Sequence, residues 1–296
     1  SKIDINNQRY SYMVFAKKTK NKDPIKKMKP NWKGKKVLIT GASSGIGSSF
    51  AEFLAKNGMH VLLTARRIDR LKKLQADIQS QEGGKADIYQ ADLGFENERE
   101  KLFKKIESDI GIIDILINNA GFGWYGYFYD MNWSLARQMS EVNMLAIIHL
   151  TNLFLPGMQS KRSGHIINIG SIAGGLPNQG IAIYSASKAF LDAFSTSLYR
   201  ELRGSGVYVS AMRLGPVKTE FYDHAKRLEN GKIIPAEKYA ISTDRVNSIL
   251  AKLIDHPKRF VYVPNWLGIT KFIENLFGWA IDLLGPLLLK KSHKKT

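Results

Sequence analysis

Cysteine is absent from this chain of 296 residues. That excludes disulfides, thiolate nucleophiles and cysteine-ligated zinc or iron–sulfur centres, and it is compatible with a reducing cytoplasm, the compartment expected. Histidine is scarce too. His60, His149, His165, His224, His256 and His293 lack the paired spacing of a metal site, so each reads as an isolated core or surface residue and no metal is expected. Near the start, the apolar stretch over residues 10–16 is too short for the core of a signal peptide, and no export signal is expected. Acidic residues are few, 26 against 44 Lys and Arg, for a formal charge of +18. The excess sits at the two ends. Residues 1–36 carry +10, and Lys290, Lys291, Lys294 and Lys295 add +4, leaving only +4 for the span between. No zinc-finger, RNP or helix-turn-helix pattern accompanies these charges, so no nucleic-acid partner is expected. The Lys-rich segment 1–33 reads as a basic N-terminal extension draped on the surface or in contact with a partner.

What the chain does have is enough apolar residue, 44%, to bury a full core. From Lys36 onward, short β-branched runs alternate with longer helical stretches, the pattern of a parallel sheet covered on both faces. Strands are expected over 36–40, 60–64, 85–90, 113–117, 165–169, 207–213 and 259–263. Helices are expected near 45–57, 67–81, 96–109, 133–159, 184–203 and 243–255. The fold class is therefore α/β, a Rossmann-like doubly wound, seven-stranded and mainly parallel sheet. One domain spans 34–264, and 265–296 forms an amphipathic helical extension with a basic tail.

Between the first strand and first helix lies Thr40-Gly41-Ala42-Ser43-Ser44-Gly45-Ile46-Gly47. Glycines there permit a tight turn and close backbone approach, and the free N–H groups and positive end of the helix would face a pyrophosphate. At the end of the second strand, where an acid binds the adenosine ribose of NAD, the sequence reads Leu63-Thr64-Ala65-Arg66-Arg67. No carboxylate stands there. Arg66, with Arg67, is instead suited to pair with a 2′-phosphate, so the cofactor expected is NADP, as NADPH. Further on, Tyr184 and Lys188 lie four apart in a helical segment, on one face, where an ammonium can bring a phenol closer to neutrality.

The loop motif resembles the cofactor fingerprint of the short-chain dehydrogenases/reductases, and ordered motifs across residues 34–263 extend the resemblance. Asn118-Asn119-Ala120-Gly121 follows the fourth strand, Asn143 lies in the long helix 133–159, and Ser171 precedes Tyr184-Ser185-Ala186-Ser187-Lys188. The resemblance implies a catalytic set of Asn143, Ser171, Tyr184 and Lys188. Tyr184 gives the proton, Ser171 hydrogen-bonds the substrate oxygen, Lys188 also binds the nicotinamide ribose, and Asn143 maintains a proton relay through water to Lys188. It also implies that Gly41, Ser43, Ser44, Gly45, Ile46 and Gly47 hold the pyrophosphate, that Asp92 and Leu93 contact adenine, and that Asn119, Ala120 and Gly121 border the ribose. Pro216, Val217 and Thr219 match the family's PGxVxT segment, which holds the nicotinamide carboxamide. Leu214 stands where that segment's first proline is usual, so a less fixed backbone is expected there.

The activity expected is NADPH-dependent reduction of a carbonyl, or oxidation of the corresponding alcohol, on a lipophilic ketone, aldehyde or secondary alcohol. Reduction is favoured because cellular NADP pools are mostly reduced. Two rivals remain open. One is another reaction on the same fold, such as epimerisation or dehydration, which usually needs an additional acid or base. The other is an NADP-binding sensor or scaffold without turnover, which would tend to lose Tyr184 or Lys188. Substrate selection is expected in loops 122–133 and 220–242, with Phe122, Trp124, Tyr125, Tyr127, Phe128 and Tyr129 lining a pocket or packing the helix beneath, and Gly174, Gly175 and Leu176 at its border. Beyond Pro264, Ile269, Phe272, Ile273, Leu276, Phe277, Ala280, Leu283, Leu284, Leu287 and Leu288 recur at helical spacing. Three charges and Gly285-Pro286 argue against a spanning helix, leaving docking on the domain, a subunit interface in a homodimer or homotetramer, or peripheral contact with a membrane surface.

Overall fold

The computed structural model describes residues 32–231 and 239–293, with side chains except for Lys271 and residues 285–293. The basic extension up to residue 31, part of the 220–242 loop and the last three residues thus lie outside the described residues.

Seven strands form one sheet in the order β3-β2-β1-β4-β5-β6-β7. They are β1 (Lys36–Thr40), β2 (His60–Ala65), β3 (Lys85–Gln90), β4 (Ile115–Asn118), β5 (Gly164–Ser171), β6 (Val207–Leu214) and β7 (Phe260–Val263). Every pairing is parallel. Parallel strands need crossovers, and helices supply them: α1 (Gly45–Lys56), α2 (Ile68–Gln79), α3 (Glu96–Asp109), α4 (Trp133–Ser140), α5 (Ala146–Ser160), α6 (Ala182–Glu201), α7 (Phe221–Arg227), α8 (Thr243–Asp255) and α9 (Thr270–His293). Side chains alternate faces along a strand, so β1 feeds two cores. Val37 and Ile39 pack with Phe50 and Leu54 of α1, Leu71 of α2 and Leu250 of α8, while Leu38 packs with Leu102 of α3, Leu150 of α5 and Leu198 of α6. The expected strands match within three residues.

The helix expected over 133–159 is not one regular helix. It is α4, a π-helical turn over Glu141–Leu145, and α5. The wider turn carries Asn143, fully buried, and its carboxamide bonds Phe122 and Ser187 rather than its own helix. Strand order reverses between β1 and β4, and the crevice at the carboxyl ends there is where such sheets take ligands.

Candidate active site

A cavity of about 520 Å³ opens at that reversal. Of the residues expected from sequence to bind or react, Gly41, Ser43, Ser44, Gly45, Ile46, Arg66, Arg67, Asp92, Leu93, Asn119, Ala120, Gly121, Ser171, Tyr184, Lys188, Pro216, Val217 and Thr219 all line it. Gly47 and Asn143 do not; both act from behind the wall.

At one end, the turn after β1 runs past the end of β4. Gly41 has φ +67°, and a Cβ there would stand 2.9 Å from the Ala120 Cα. A Cβ on Gly47 would fall 2.3 Å from the Gly41 carbonyl oxygen. The Asn119 amide donates to the Thr40 carbonyl at 2.8 Å, which ties the turn to the segment after β4. Ser44 caps α1 without a side-chain bond to the helix, so the first amides of α1 face the cavity unspent by a cap. Arg67 donates to the Ser43 and Ser44 hydroxyls at 3.0 and 2.6 Å, and Arg66 stands 3.9 Å from Asp92. Burial, then Arg70, holds the Arg67 pKa below its ordinary value. His224 is likewise depressed by burial and then by Arg66, Arg67 and Arg227. This end is strongly electropositive, and with the α1 amides it fits two anionic groups.

At the other end, β5 delivers Ser171 and α6 delivers Tyr184 and Lys188. Ser171 accepts from the Ala173 amide at 3.2 Å and hydrogen-bonds Tyr184. Burial raises the Tyr184 pKa, and the Ser171 bond opposes it. Lys188 donates to the Ile169 carbonyl at 2.9 Å, its Nζ 5.7 Å from the Tyr184 ring centre. Lys188 thus places one of its three N–H donors on a backbone carbonyl, and burial is the largest influence on the phenol. Burial brings Lys188 itself down to about 8, with Asp192 opposing.

Three further expectations need correction. The backbone at Leu214 is well held: Gly215 N–H bonds the Val263 carbonyl at 2.8 Å and the Pro216 carbonyl takes the Ile241 amide at 2.9 Å. A residue with an N–H extends β6 by one position where proline would stop it. Of the loop aromatics, only Phe122 and Trp124 line the cavity. Tyr125 is buried outside it, and Phe128 and Tyr129 are exposed because a 3₁₀ turn over Phe128–Asp130 carries the chain outward. Of the three residues after Ser171, Leu176 lines the cavity, whereas Gly174 packs on the α6 backbone. Away from the site, Glu96, Glu100 and His149 are the single grouping of potential metal ligands among the described residues, and Arg99 donates to His149 there.

Residues 35–230 match the short chain dehydrogenase family. The chain belongs to the short-chain dehydrogenases/reductases, and is an oxidoreductase by that membership. This short-chain dehydrogenase is 33% identical over 231 residues to an uncharacterized oxidoreductase of Staphylococcus saprophyticus, covering 77% of this chain and 93% of the relative. It is 36% identical over 182 residues to a very-long-chain 3-oxoacyl-CoA reductase of Anas platyrhynchos, covering 60% of this chain and 57% of that enzyme. Among solved structures, a short-chain dehydrogenase from Sphingobium yanoikuyae in complex with NADPH superposes with TM-score 0.73 at 30% identity, over 84% and 95% of the two chains. A metagenomic short-chain oxidoreductase in complex with NADP gives TM-score 0.66 at 31% identity, over 76% and 92%.

Sequence reasoning placed substrate selection in segment 220–242 without naming the residues there that this dehydrogenase brings to the site. Glu220, Phe221, Tyr222 and His224, at the start of α7, line the cavity opposite Tyr184, with the Phe221 ring 5.7 Å from that of Tyr184. Glu220 also bonds Arg70 of α2 at 2.6 Å and stands 3.7 Å from Arg67, and these cations hold its carboxyl below the usual range. A seven-residue helix has too short a period to read from sequence. Asp192 was missed although its spacing, eight after Tyr184 and four after Lys188, marks the same face of α6.

Proposed function

We propose that this protein is an NADPH-dependent reductase of a lipophilic ketone or aldehyde, or in reverse a dehydrogenase of the secondary or primary alcohol. The observation that carries this reading is one continuous cavity with Ser171, Tyr184 and Lys188 at one end and the Arg66 and Arg67 cluster at the other. The apolar lining from Phe122, Trp124, Leu176, Ile181 and Phe221 supports a lipophilic substrate. The named activity of the 3-oxoacyl-CoA reductase relative and the NADPH in the Sphingobium structure support the same reading. We assign the chemistry to residues 34–264, with 1–33 and 265–296 as extensions.

NADPH, when bound, supplies the hydride. The residues of the chain do the rest. The α1 amides and the turn from Gly41 to Gly47 would hold its pyrophosphate, Arg66 and Arg67 the 2′-phosphate, Asp92 and Leu93 the adenine, Asn119 to Gly121 the ribose, and Pro216, Val217 and Thr219 the carboxamide. Ser171 donates to the substrate oxygen as negative charge builds on it, and Tyr184 transfers its proton there, leaving an alcohol. The raised pKa keeps Tyr184 protonated through neutrality, the form reduction needs. Lys188 faces the ribose and balances the charge left on the phenolate. Asn143, bonded to the Phe122 backbone at 3.1 and 2.9 Å and to Ser187 at 3.2 Å, would hold that part of the pocket and maintain a proton relay through water to Lys188.

Cofactor choice gives a direct test. Replacing Arg66 and Arg67 together by alanine is expected to weaken NADPH binding by roughly ten- to a hundredfold, the size of lost charge-assisted hydrogen bonds, with NADH binding unchanged. Fluorescence titration of both variants with both nucleotides measures it. Equal wild-type affinity for NADH and NADPH would remove the NADP assignment, and binding of neither would remove the reductase reading.

A further inference from the structure

Five large apolar residues, Ile269, Phe272, Leu276, Trp279 and Leu283, follow one another along the 265–269 turn and α9 at spacings of three and four. They form a continuous stripe, and each is 53–69% exposed. Phe277, Leu284 and Trp266 flank it and are equally open. A single exposed leucine needs no explanation, but a stripe of this extent on a monomer marks a contact surface. Asp282 is exposed at the edge of the stripe, three residues after Trp279, and Glu274 is half-buried. No helix among the described residues is long and apolar enough to cross a membrane.

Two contacts fix this helix beside the substrate end of the cavity. Leu267, just before α9, is buried against Gly215, whose Cβ would come within 2.5 Å of it, and Gly215 lines the cavity. Gln179, in the loop after Ser171, donates to the Ile281 carbonyl of α9 at 3.3 Å. The next residue, Gly180, accepts from Gly126 at 2.9 Å, in the loop bearing exposed Phe128, Tyr129 and Trp133. The apolar stripe and these aromatics therefore stand on segments joined through the 179–180 turn, outside the cavity lining.

We propose that α9 lies in the interface of an anionic lipid bilayer, its apolar stripe among the acyl chains and headgroups. The composition fits this occupant. Trp266 precedes the stripe and Trp279 lies within it, amphipathic rings of the kind enriched at headgroup level, and the chain after it adds Lys290, Lys291, Lys294 and Lys295 with no acid among them. A second copy of the same helix offers these lysines only Asp282 and the half-buried Glu274, against the dense negative charge of an anionic bilayer surface.

Cosedimentation of the full chain with vesicles tests this without any turnover, so its failure is distinct from failure of the reductase reading. Wild type is expected to sediment with vesicles containing phosphatidylserine at least roughly tenfold more strongly than with phosphatidylcholine alone, falling with salt. The variant Phe272→Glu, Leu276→Glu, Leu283→Glu alters exposed positions only. It is expected to lose vesicle binding while keeping its melting temperature and its turnover of a water-soluble ketone. No sedimentation at either composition overturns the proposal, as does a wild-type dimer that ignores vesicles and becomes monomeric in the triple variant.

A different observation carries a second inference, which rests on the proposed reaction. The Asp192 carboxylate lies one helical turn beyond Lys188 and accepts from Arg213 Nε on β6 at 2.9 Å, both side chains largely buried. Gly170 of β5 makes room for the pair: its Cβ would stand 3.7 Å from Asp192 Oδ1 and 3.8 Å from Arg213 Cγ. That glycine follows Ile169, whose carbonyl receives Lys188. Arg213 is fixed in turn by Tyr262 of β7 at 2.5 Å and by the Phe260 ring at 4.3 Å. We infer that Asp192 is a positioning residue that holds Lys188 as an ammonium through its fixed negative charge.

The groups around Lys188 are Tyr184 and Asp192 on its own helix, Arg213 beyond Asp192, Tyr262 behind Arg213, the neutral Asn143, and the Ile169 carbonyl. Burial favours the neutral amine and Asp192 opposes it. Lys188 acts while protonated, and kcat/KM for reduction falls as pH rises through its pKa. Removing the Asp192 charge lowers that pKa, so in Asp192→Asn the alkaline limb moves down by roughly one pH unit. That variant leaves Arg213 unpaired, so Asp192→Asn with Arg213→Met is measured beside it and is expected to move the limb the same way. Asp192→Glu restores it. A lower kcat with an unmoved limb in both variants overturns the inference.

Discussion

Replacing Tyr184 by phenylalanine is expected to lower kcat/KM for carbonyl reduction by roughly 10²–10⁴-fold, the range for a general acid in hydrogen-bond reach. That is about 3–5 kcal/mol of transition-state stabilisation. The substitution suits the site. The ring packs against Phe221, and the Cβ that Gly123 lacks would stand 3.4 Å from Tyr184 Cδ2, so a phenylalanine ring keeps these contacts. Only the hydroxyl and its bond to Ser171 go. Ser171 remains anchored by the Ala173 amide, and stability is expected to change by about 1 kcal/mol. NADPH affinity is expected to hold, because the phosphate-binding turn lies at the far end of the cavity. Steady-state kinetics beside a fluorescence titration separate the two. Retention of more than a tenth of the turnover would show that another group delivers the proton.

The second large effect comes from a single methyl group. Gly47→Ala puts a Cβ 2.3 Å from the Gly41 carbonyl oxygen and 2.6 Å from Asn119 Nδ2. The first neighbour is backbone, and the second is pinned to the Thr40 carbonyl, so neither gives way cheaply. The turn must move off α1. Overpacking of this kind costs about 1–3 kcal/mol of stability. Losing one charge-assisted contact from the α1 amides costs a further roughly 1.5–3 kcal/mol of binding, so NADPH affinity is expected to fall at least tenfold. Gly157→Ala is the control. It lies within α5, meets Ile112 Cγ1 at an ordinary 3.4 Å, and is expected to leave binding unchanged and stability equal or higher. A Gly47→Ala protein with unchanged melting temperature and affinity would show that the turn does not hold the pyrophosphate.

The sheet was readable because parallel strands buried on both faces are continuous apolar runs, as in Lys36-Val37-Leu38-Ile39-Thr40, and the intervening helices are long enough to show their period. The residues lining the cavity were readable for a related reason. Gly41, Tyr184 and Lys188 stand at a strand end and on one helix face that local sequence marks, and Ser171 came from the resemblance of the ordered motifs. What could not be read depends on distant chain segments. Asn143 sits on a π turn whose bonds go to Phe122 and Ser187, 21 and 44 residues away. The fate of Tyr125 and Tyr129, one buried and one exposed, turns on a short 3₁₀ segment with no periodic signature. Arg213 falls inside the expected strand 207–213, and its partner Tyr262 comes from β7, 49 residues on. Residues 232–238 of the expected substrate loop, outside the described residues, leave that part of the reading where the sequence put it.

The parallel sheet also divides labour between parts of the chain that are held to different degrees. The residues proposed to hold the cofactor and deliver the proton stand at strand ends and on one buried face of α6, packed against the sheet. The walls that meet the variable part of a substrate come from segments after β4, β5 and β6 that are anchored only at their ends. A lineage of such chains can thus exchange one carbonyl compound for another by rewriting those walls, while the reaction performed on it stays fixed by the frame.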